Sequence, residues 1–474
     1  MRSIADLYND FVDMEKELNL FHRRIGGVHF WERVRAPIFL YIFEKSASGD
    51  SRGNRAKPSM RDRIMFFGKA IVDIRRNPFL TGRKDIVFFS SQRRTRMEDG
   101  LWWEIYTDPV AARLKLSSVT IEPGLLTAHR VPAKTKNLRY LDFVEFGGYV
   151  LQKLGFGRVE LEKKDKELLA TVEKEIRRRF GVLYDVRRRV KLTLVRRKTM
   201  LPLLKWIMKL IRPKLAVVVT AYGKETIVEA AKSLGITVVE LQHGVISPYH
   251  PGYSYPQGIK KKTFPDYLLV FGEYWRTCSS YPIPHSRVLP VGYPYLESRK
   301  RKYEGLKRKR QIVVISQARL GKEIAQFAAA LRKVAPDDLK IVYKLHPMEI
   351  QTWRHQYPWL SSSGIHVVGT EGDLYQLFAE SVAQVGVFST ALYEGLSFGL
   401  RTFLIDLPGV EYMTHLIETG IARMVSTANE VVEHLQDLGA EAGVDNEYFF
   451  RSGALSLLVR TIEQLAAHET PTMS

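Results

Sequence analysis

The chain has 474 residues, 45% hydrophobic and 26% charged, which excludes an intrinsically disordered protein and leaves room for two sizeable domains. Its single cysteine, Cys278, excludes an intrachain disulfide and cysteine-rich zinc sites, and fits a reducing compartment. The formal net charge of +21 points to an anionic partner, for which nucleic acid, an anionic membrane surface and a phosphorylated substrate are the candidates.

Residues 1–80 are expected to form a helical N-terminal extension. Within it, the polar stretch Ser46–Lys57 is predicted to be a loop. The first 19 residues carry five acidic side chains among scattered apolar ones, unlike a signal peptide. No apolar run approaches the ~20 residues that span a bilayer. We therefore expect a cytoplasmic protein, either soluble or bound peripherally to the inner face of the plasma membrane.

The first strand prediction is Asp85–Ser90, and the polar loop Ser91–Gly100 follows it. Open α/β sheets place ligand-binding groups in the loops after their strands, so this loop is a candidate site. Ser117–Ile121 is a second candidate strand, and Glu160–Arg179 has the pattern of a charged helix.

A strongly basic segment occupies residues 187–214, and no acidic residue lies between Asp185 and Glu225. Within it, Lys205 and Lys209 lie one turn apart in an apolar stretch that includes Trp206. This pattern is typical of a basic amphipathic helix on anionic lipid. A core helix with a solvated basic edge explains it equally well, so both interpretations stay open.

From residue 215 onwards, apolar strands alternate with helices, which indicates parallel sheets covered on both faces. We predict an α/β fold of two Rossmann-like parallel-sheet domains facing a cleft, with a helical N-terminal extension. The predicted units are the extension 1–80, an N-terminal Rossmann-like domain 81–298, a basic linker 299–310, a C-terminal Rossmann-like domain 311–445 and a C-terminal helix in 446–474.

Two short motifs in the second domain suggest a phosphate site. Ser389 and Thr390 stand between an apolar strand and a short helix, where hydroxyl and backbone N–H groups face an anion. A simple helix cap is the alternative. His346-Pro347 also follows a strand directly, and proline at a first helical position would leave neighbouring N–H groups free. Two βα units separate these motifs, so both are expected on one rim of the sheet.

The order of these two motifs in a second Rossmann-like domain resembles the GT-B bacterial sialyltransferases and the capsule polysaccharide transferases that use CDP-glycerol or CMP-Kdo. The resemblance implies that His346, Ser389 and Thr390, the last in place of a second Ser, hold the phosphate of a cytidine-activated donor. Gln242-His243-Gly244 is similar to a His-Gly element of these families. Gly292-Tyr293-Pro294 resembles their Gly-Asn-Pro hinge, from which Tyr293 departs. The similarity covers about residues 215–425.

Two residues are candidates for the catalytic base. Asp99, in Glu98-Asp99-Gly100, fits the acidic-acidic-Gly motif of several bacterial sialyltransferases, and His243 belongs to the His-Gly element. A base must reach the acceptor hydroxyl and have a suitable pKa, which either residue can satisfy. A surface turn for Asp99 and a core position for His243 are the structural alternatives. Ser316 and Glu394 are further donor-site candidates, Glu394 as an acceptor from ribose hydroxyls.

No Asp-x-Asp motif or His/carboxylate cluster suggests a divalent metal, so we expect neither metal nor cofactor. The resemblance implies an inverting, metal-independent glycosyltransferase of surface-polysaccharide biosynthesis, with 81–298 as the acceptor domain and 311–445 as the nucleotide-donor domain. Its expected partners are a nucleotide-sugar donor, a glycan or lipid-linked acceptor and an anionic membrane contacted through 187–214. A sugar-nucleotide epimerase of the same fold is the main alternative. Charge alone suggests nucleic-acid binding, for which no reader module is recognisable, so nucleic acid is not expected as a partner.

Overall fold

The computed structural model describes residues 2–47, 71–124, 129–436 and 444–471, together with residues 62, 64, 65 and 68. Most of the predicted loop Ser46–Lys57 lies outside this part of the chain. The strands are β1 Ile86–Phe89, β2 Arg94–Arg96, β3 Trp102–Glu104, β4 Ser118–Glu122, β5 Leu138–Tyr140, β6 Leu215–Val219, β7 Thr237–Leu241, β8 Tyr267–Val270, β9 Val288–Pro290, β10 Gln311–Ile315, β11 Lys340–Lys344, β12 His366–Val368, β13 Ala383–Gly386, β14 Arg401–Ile405 and β15 Ala422–Val425.

Helices connect and cover these strands. They are α1 Ile4–Glu17, α2 Trp31–Ala47, α3 Asp108–Ala111, α4 Asp142–Lys153, α5 Lys163–Phe180, α6 Val186–Ile211, α7 Glu225–Lys232, α8 Glu273–Thr277, α9 Pro294–Lys302, α10 Gly321–Val334, α11 Trp353–Gln356, α12 Leu374–Glu380, α13 Thr390–Leu396, α14 Thr414–Glu418, α15 Ala428–Gln436, α16 Asn446–Phe449 and α17 Ala454–Ala466. Single 3-10 turns occupy Leu20–His22, Ile74–Arg76, Pro78–Leu80, His285–Arg287, Pro358–Ser361 and Val410–Met413.

Thirteen of the fifteen described strands form two parallel sheets. The first has seven strands in the order β5-β4-β1-β6-β7-β8-β9, and the second has six in the order β12-β11-β10-β13-β14-β15. Every residue of β6 and of β10 is buried, as expected for strands covered by helices on both faces. The predicted fold class, two parallel-sheet Rossmann-like domains with a helical N-terminal extension, is confirmed.

The N-terminal helices are anchored by a buried ion pair. Arg35 of α2 and Glu15 of α1 are both fully buried, with Nε and Nη2 of Arg35 2.7 and 2.9 Å from the carboxylate oxygens. Nη1 of Arg35 also donates to the carbonyls of Pro251 and Ser254, at 2.6 and 2.8 Å. One guanidinium therefore joins α1, α2 and the loop that follows β7.

The same extension reaches the second domain. The side chains of Glu44 and Arg319 lie 2.7 Å apart, and the backbone N–H of Ile4 donates to Glu411 at 3.2 Å. Arg319 follows β10 and Glu411 follows β14. The extension therefore contacts both sheet domains on one side of the space between them.

The chain ends on the first domain, after crossing back from the second. The backbone N–H groups of Arg451 and Ala454 donate to the Phe271 carbonyl at 2.8 Å and to Glu297 at 2.9 Å. Gly292 lies beneath this contact with φ +82°, and a Cβ there would be 2.2 Å from the Arg451 carbonyl oxygen. A side chain at this position would therefore push the C-terminal helix away from the first domain.

The basic segment forms α6, whose inner face is part of the core. Nine of its residues are buried: Val186, Val190, Leu194, Thr199, Met200, Leu204, Ile207, Met208 and Ile211. Its outer face is basic and exposes Leu192, Trp206 and Leu210. The interpretation of this segment as a core helix therefore describes the inner face of α6. The basic outer face remains exposed, where a partner could bind. Among the described residues, no helix has the length and apolarity needed to cross a membrane.

Some local expectations differ from the structure. Turns follow His346-Pro347, so the predicted helix start at Pro347 is wrong; the next helix begins at Trp353. The loop Ser91–Gly100 contains β2 and leads into the antiparallel β2-β3 hairpin. Residues 299–302 of the predicted linker end helix α9, and 303–310 complete the passage to β10. The domain limits themselves stay predictions.

Replacing Arg35 by Met is expected to lower the free energy of unfolding by about 3–5 kcal/mol, because Glu15 is left as an unpaired buried charge. Urea-induced unfolding of the full chain measures this loss. The matched control is Arg310→Met, which breaks the exposed pair with Asp338 and is expected to cost about 0–1 kcal/mol. Equal losses in the two variants would contradict the proposed anchoring role of Arg35.

Candidate active site

The carboxyl edge of the second sheet brings three predicted residues together. Ser316 follows β10, the central strand, while His346 follows β11 and Ser389 follows β13 on its two sides. Glu349 joins two of them, because its Oε2 accepts from Ser316 Oγ at 2.7 Å and from the His346 backbone N–H at 3.0 Å. The buried hydroxyl of Ser316 is thus engaged in supporting the His346 turn.

The turn also orients the His346 ring. Its Nδ1 accepts a hydrogen bond from the backbone N–H of Met348 at 3.2 Å, which places the ring proton of the neutral form on Nε2. The side chain is partly exposed at the sheet edge. Nε2 is thus the N–H donor of the neutral ring, the kind of group that binds phosphate.

The hydroxyl oxygens of Ser389 and Thr390 accept hydrogen bonds from different neighbours. Ser389 is the N-cap of α13, and its Oγ accepts from the Ala391 N–H at 3.2 Å. Thr390 Oγ1 instead accepts from the backbone N–H of Val245, in the first domain, at 3.0 Å. Each hydroxyl oxygen accepts from a backbone N–H group and keeps its own proton to donate. The helix-cap interpretation thus holds for Ser389 without excluding an anion ligand.

His243 lies two residues before that interdomain hydrogen bond. It follows β7, and Tyr106 from the chain after β3 donates to its carbonyl at 2.6 Å. Burial, together with the nearby charge of Arg93, holds the pKa of the His243 imidazole well below its usual value. The ring is therefore neutral at physiological pH.

Two tyrosines fix the tautomer of this neutral ring. Tyr253 Oη lies 2.7 Å from Glu240 Oε1 and 3.3 Å from Nδ1 of His243. The shorter contact takes the single hydroxyl proton, so Nδ1 of His243 carries its own proton and donates to Tyr253. Nε2 is then the acceptor, and it faces the hydroxyl of Tyr222 at 3.1 Å. This tautomer is the form of histidine that accepts a proton at Nε2.

Glu240 completes the array behind His243. Its Oε1 also accepts from the Ala221 N–H at 2.8 Å, while Oε2 is buried with no hydrogen-bond partner among the described residues. Complete burial raises the pKa of Glu240 to about 7, against the hydrogen bond from Tyr253 that lowers it. In the sequence, Glu240 is the one acidic residue of the apolar stretch Val238-Val239-Glu240-Leu241, a pattern by which a buried carboxyl could have been recognised.

A second buried carboxyl lies on the other side of the interdomain space. Tyr375 donates to Glu394 Oε2 at 2.7 Å, and burial raises the pKa of Glu394 to about 7 although the charge of Arg93 opposes the shift. Nη1 of Arg93, from the loop after β1, donates to the Tyr106 hydroxyl at 3.3 Å. Arg93 thus places a cation between the two domains, within the polar loop that the sequence indicated.

Asp99 lies outside this arrangement. It occupies the turn of the β2-β3 hairpin, where it is 43% exposed, and Lys134 Nζ lies 2.9 Å from its Oδ2. The hydrogen bond from Lys134 holds the pKa of this carboxyl below its usual value. None of its contacts involves the other predicted site residues. An exposed, ion-paired carboxylate of lowered pKa is a poor proton acceptor, so this environment favours the surface-turn alternative.

The structure also adds residues that the sequence did not single out: Arg93, Tyr106, Tyr222, Glu240 and Tyr253. Their roles depend on contacts between segments far apart in the chain. No group of three or more His, Cys, Asp or Glu side chains in the described ranges is arranged to hold a metal ion. Independence from metal remains a prediction.

No protein-family model matches the sequence, and neither does any curated protein. Similar solved structures include the UDP-GlcNAc 2-epimerase of Neisseria meningitidis, with 15% identity, TM-score 0.47, and 80% of this chain and 99% of that chain covered. The Methanocaldococcus jannaschii UDP-GlcNAc 2-epimerase has 9% identity, TM-score 0.45 and 79% and 98% coverage. The wall teichoic acid polymerase TagF has 14% identity, TM-score 0.43 and 87% and 99% coverage. Likenesses this distant carry no argument about chemistry.

Replacing Glu240 by Gln is expected to reduce the pH dependence of stability. The folded state binds the Glu240 proton more tightly than the unfolded state, so this group's contribution is present below the unfolded pKa and is lost as pH rises through the folded pKa. Between about pH 5 and pH 8 the free energy of unfolding should fall by roughly 2–3 kcal/mol more in the wild type than in the variant.

Urea unfolding at several pH values measures this difference. The matched control is Glu433→Gln at an exposed position of α15, which should retain the wild-type pH dependence. A Glu240→Gln variant that follows the wild-type curve over the whole range would show that Glu240 is ionised like an exposed carboxylate.

Proposed function

We propose that this chain is an inverting, metal-independent glycosyltransferase. It transfers a sugar, of hexosyl, sialyl or Kdo type, or a polyol phosphate from a CMP- or CDP-linked donor to a surface-polysaccharide or lipid-linked glycan. The hydrogen bond from the Val245 N–H to Thr390 Oγ1 is the observation that carries this proposal. It brings the candidate phosphate ligands of the second domain beside the candidate base of the first.

His243 is the proposed base. Its Nε2 accepts the proton of the acceptor hydroxyl. With a sugar donor, the hydroxyl oxygen attacks the sugar carbon from the face opposite the phosphate, and the carbon–oxygen bond to the leaving nucleotide breaks. With a CDP-polyol donor, the oxygen attacks the phosphorus next to the polyol, and the phosphorus–oxygen bond to CMP breaks. The acceptor hydroxyl takes the place of the Tyr222 hydroxyl at Nε2. A low pKa keeps His243 unprotonated before reaction, and the negative charge of a bound donor raises that pKa towards neutrality.

The leaving phosphate is held by donors from the second domain and by one cation from the first. Nε2 of His346 and the hydroxyls of Ser389 and Thr390 are the proposed hydrogen-bond donors. Arg93 supplies positive charge where negative charge develops on the departing nucleotide. Ser316 acts indirectly, through Glu349, by keeping the His346 turn in place. We propose that no metal or cofactor takes part.

A sugar-nucleotide epimerase is the second candidate, and Glu394 is the observation that favours it. A buried carboxyl with a pKa of about 7 is suited to give and take protons at a sugar carbon, which an inverting transfer does not require. The two candidates differ in one readout. An epimerase exchanges a sugar C–H proton with deuterated solvent in the absence of acceptor, whereas the proposed transferase does not.

CMP or CDP is expected to raise the melting temperature of the protein in the presence of EDTA, because binding to the folded state alone stabilises it. A thermal-shift screen of CMP, CDP, UMP, UDP, GDP and ADP measures the effect. Stabilisation by UDP alone would overturn the cytidine assignment, and a requirement for magnesium would overturn metal independence.

Two histidine variants separate binding from turnover. His346→Ala is expected to lose most of the CMP-induced shift, because it removes a phosphate donor. His243→Gln is expected to keep the shift and to lose at least a hundredfold in turnover, the typical effect of removing a general base. Asp99→Asn serves as the matched control and should change neither quantity. Turnover lost in Asp99→Asn but retained in His243→Gln would reverse the assignment of the base.

The outer face of α6 is the proposed membrane contact. Lys205 and Lys209 lie one turn apart there, and Trp206 and Leu210 expose 56% and 40% of their surface. Basic side chains beside an exposed indole suit the interface of an anionic bilayer. Such a contact would bring the enzyme to a lipid-linked acceptor.

The full chain is expected to float with vesicles that contain phosphatidylglycerol and to remain unbound with phosphatidylcholine alone. Binding should weaken as salt increases, since each basic residue near the surface contributes about 1 kcal/mol. Lys205→Gln/Lys209→Gln should reduce flotation, whereas Lys307→Gln/Arg310→Gln, with equal charge loss on the second domain, should not. Equal flotation of both double variants would place the contact elsewhere.

A further inference from the structure

A cavity of about 480 Å³ opens at the carboxyl edge of the first sheet, beside the proposed active site. Its walls come from the segments after β4 and β6, the first turns of α4 and α7, one side of α6, and α2. Its charged lining residues are Arg33, Arg189, Arg196, Lys224, Glu145 and Glu225. Its α6 wall, between Arg189 and Leu204, belongs to the basic segment 187–214.

The lining is cationic. Four basic side chains and two acidic ones face the cavity, which leaves a surplus of two positive charges. Both acidic groups already have basic neighbours: Glu225 lies 3.4 Å from Lys261 Nζ, and Glu145 lies 3.6 Å from Arg196 Nη2. The lining therefore has an excess of basic over acidic side chains, which favours an anionic ligand.

Arg33 gives a second, independent indication of a ligand. Its side chain is only 3% exposed, and its Nε is buried with no hydrogen-bond partner among the described residues. Its Nη2 lies 2.6 Å from Glu229, and Arg197 binds the same carboxylate. The single negative charge of Glu229 therefore offsets only one of the two guanidinium charges. A buried guanidinium N–H without a partner is costly unless a ligand accepts from it.

The cavity reaches the proposed base through Tyr222. This tyrosine lines the cavity, and its hydroxyl lies 3.1 Å from Nε2 of His243. Lys224 stands at the same end, where its Nζ donates to the Thr220 carbonyl at 3.2 Å and burial lowers its pKa to about 8. A molecule in the cavity that displaces the Tyr222 hydroxyl would therefore present its own hydroxyl to the base.

We propose that this cavity binds the acceptor, and that the acceptor carries a phosphate group held by Arg33, Arg189 and Arg196. The inference rests on the proposed glycosyltransferase function, which it deepens by naming the chemical class of the acceptor. Guanidinium groups bind phosphate through paired N–H donors, and a phosphate monoester dianion carries two negative charges to offset those of the arginines. A carboxylate carries only one.

Two sources of this phosphate share the same chemistry. Leu192 lines the cavity and is 55% exposed on the outer surface of α6. The cavity therefore opens on the helix proposed to meet the membrane. A soluble sugar phosphate and the phosphate of a lipid-linked glycan fit the charge of the cavity equally. Only the lipid-linked ligand is expected to contact the apolar rim at Leu192, so a substitution of Leu192 distinguishes them.

Isothermal titration of the full-length protein with glucose 1-phosphate tests the proposal, in EDTA and with saturating CMP to occupy the donor site. Saturable binding is expected, and Arg189→Gln/Arg196→Gln should weaken it at least tenfold. Arg187→Gln/Lys191→Gln removes equal charge from the opposite side of α6 and should change the affinity less than twofold. Equal weakening by the two double variants, or no binding to wild type, overturns the proposal.

Two further probes define the ligand. Glucuronate should bind at least tenfold more weakly than glucose 1-phosphate, and equal or tighter binding would overturn phosphate in favour of carboxylate. Hexyl phosphate tests the source. If Leu192→Ser weakens hexyl phosphate alone, the phosphate is that of a lipid-linked acceptor. If Leu192→Ser changes the affinity for neither probe, and glucose 1-phosphate binds more tightly than hexyl phosphate, the phosphate is that of a soluble sugar phosphate. Either result supports the phosphate assignment.

Failure of this inference is separable from failure of the proposed function. A protein that binds CMP but not glucose 1-phosphate retains its donor site and refutes only the cavity assignment. A protein that binds glucose 1-phosphate without any affinity for nucleotides refutes the transferase and leaves the cavity as a phosphate site. Glucose 1-phosphate should bind wild type equally with and without saturating CMP, and its displacement by CMP would show that the probe occupies the donor site and would overturn the proposal.

Discussion

The hydrogen bond between the Val245 N–H and Thr390 Oγ1 is the contact on which the candidate site depends. Parallel strands place their functional loops at one edge of a sheet, so each domain offers half a site at its carboxyl edge. Thr390 joins the loop after β7 to the start of α13, and it thereby brings His243 beside Ser389. The polar residues of the candidate site come from both sheets, so the site exists only where the two carboxyl edges meet.

Burial between the domains changes the acid–base properties of several groups in opposite directions. It raises the pKa values of Glu240 and Glu394 to about 7, lowers that of Lys224 to about 8, and holds His243 neutral. A common physical cause, the cost of a charge in a medium of low polarity, produces all four shifts. Glu240, Glu394 and Lys224 thus have pKa values near neutral pH, a property that the proposed acid–base chemistry can use.

Helix α6 shows how one element serves both stability and recognition. Its buried face packs in the core, Arg189 and Arg196 line the cavity, and Trp206 and Leu210 remain exposed. Because 3.6 residues complete a turn, side chains three or four positions apart fall on a common face, and one 26-residue helix presents several distinct surfaces. The high positive charge of the chain is thereby concentrated where anionic ligands are proposed to bind.

The sequence by itself determined the fold class and the position of the second-domain loops. Alternating apolar strands and helices were sufficient to predict two parallel sheets, and strand order places Ser316, His346 and Ser389 on one rim. The tertiary structure alone decided which residues of the first domain meet them. Tyr106, Tyr222 and Tyr253 contact His243 through side chains that no local pattern relates, and Asp99, selected by a three-residue motif, lies in an exposed turn. Periodicity reports which face of an element is buried, whereas the partners of a buried polar group depend on how distant segments pack together.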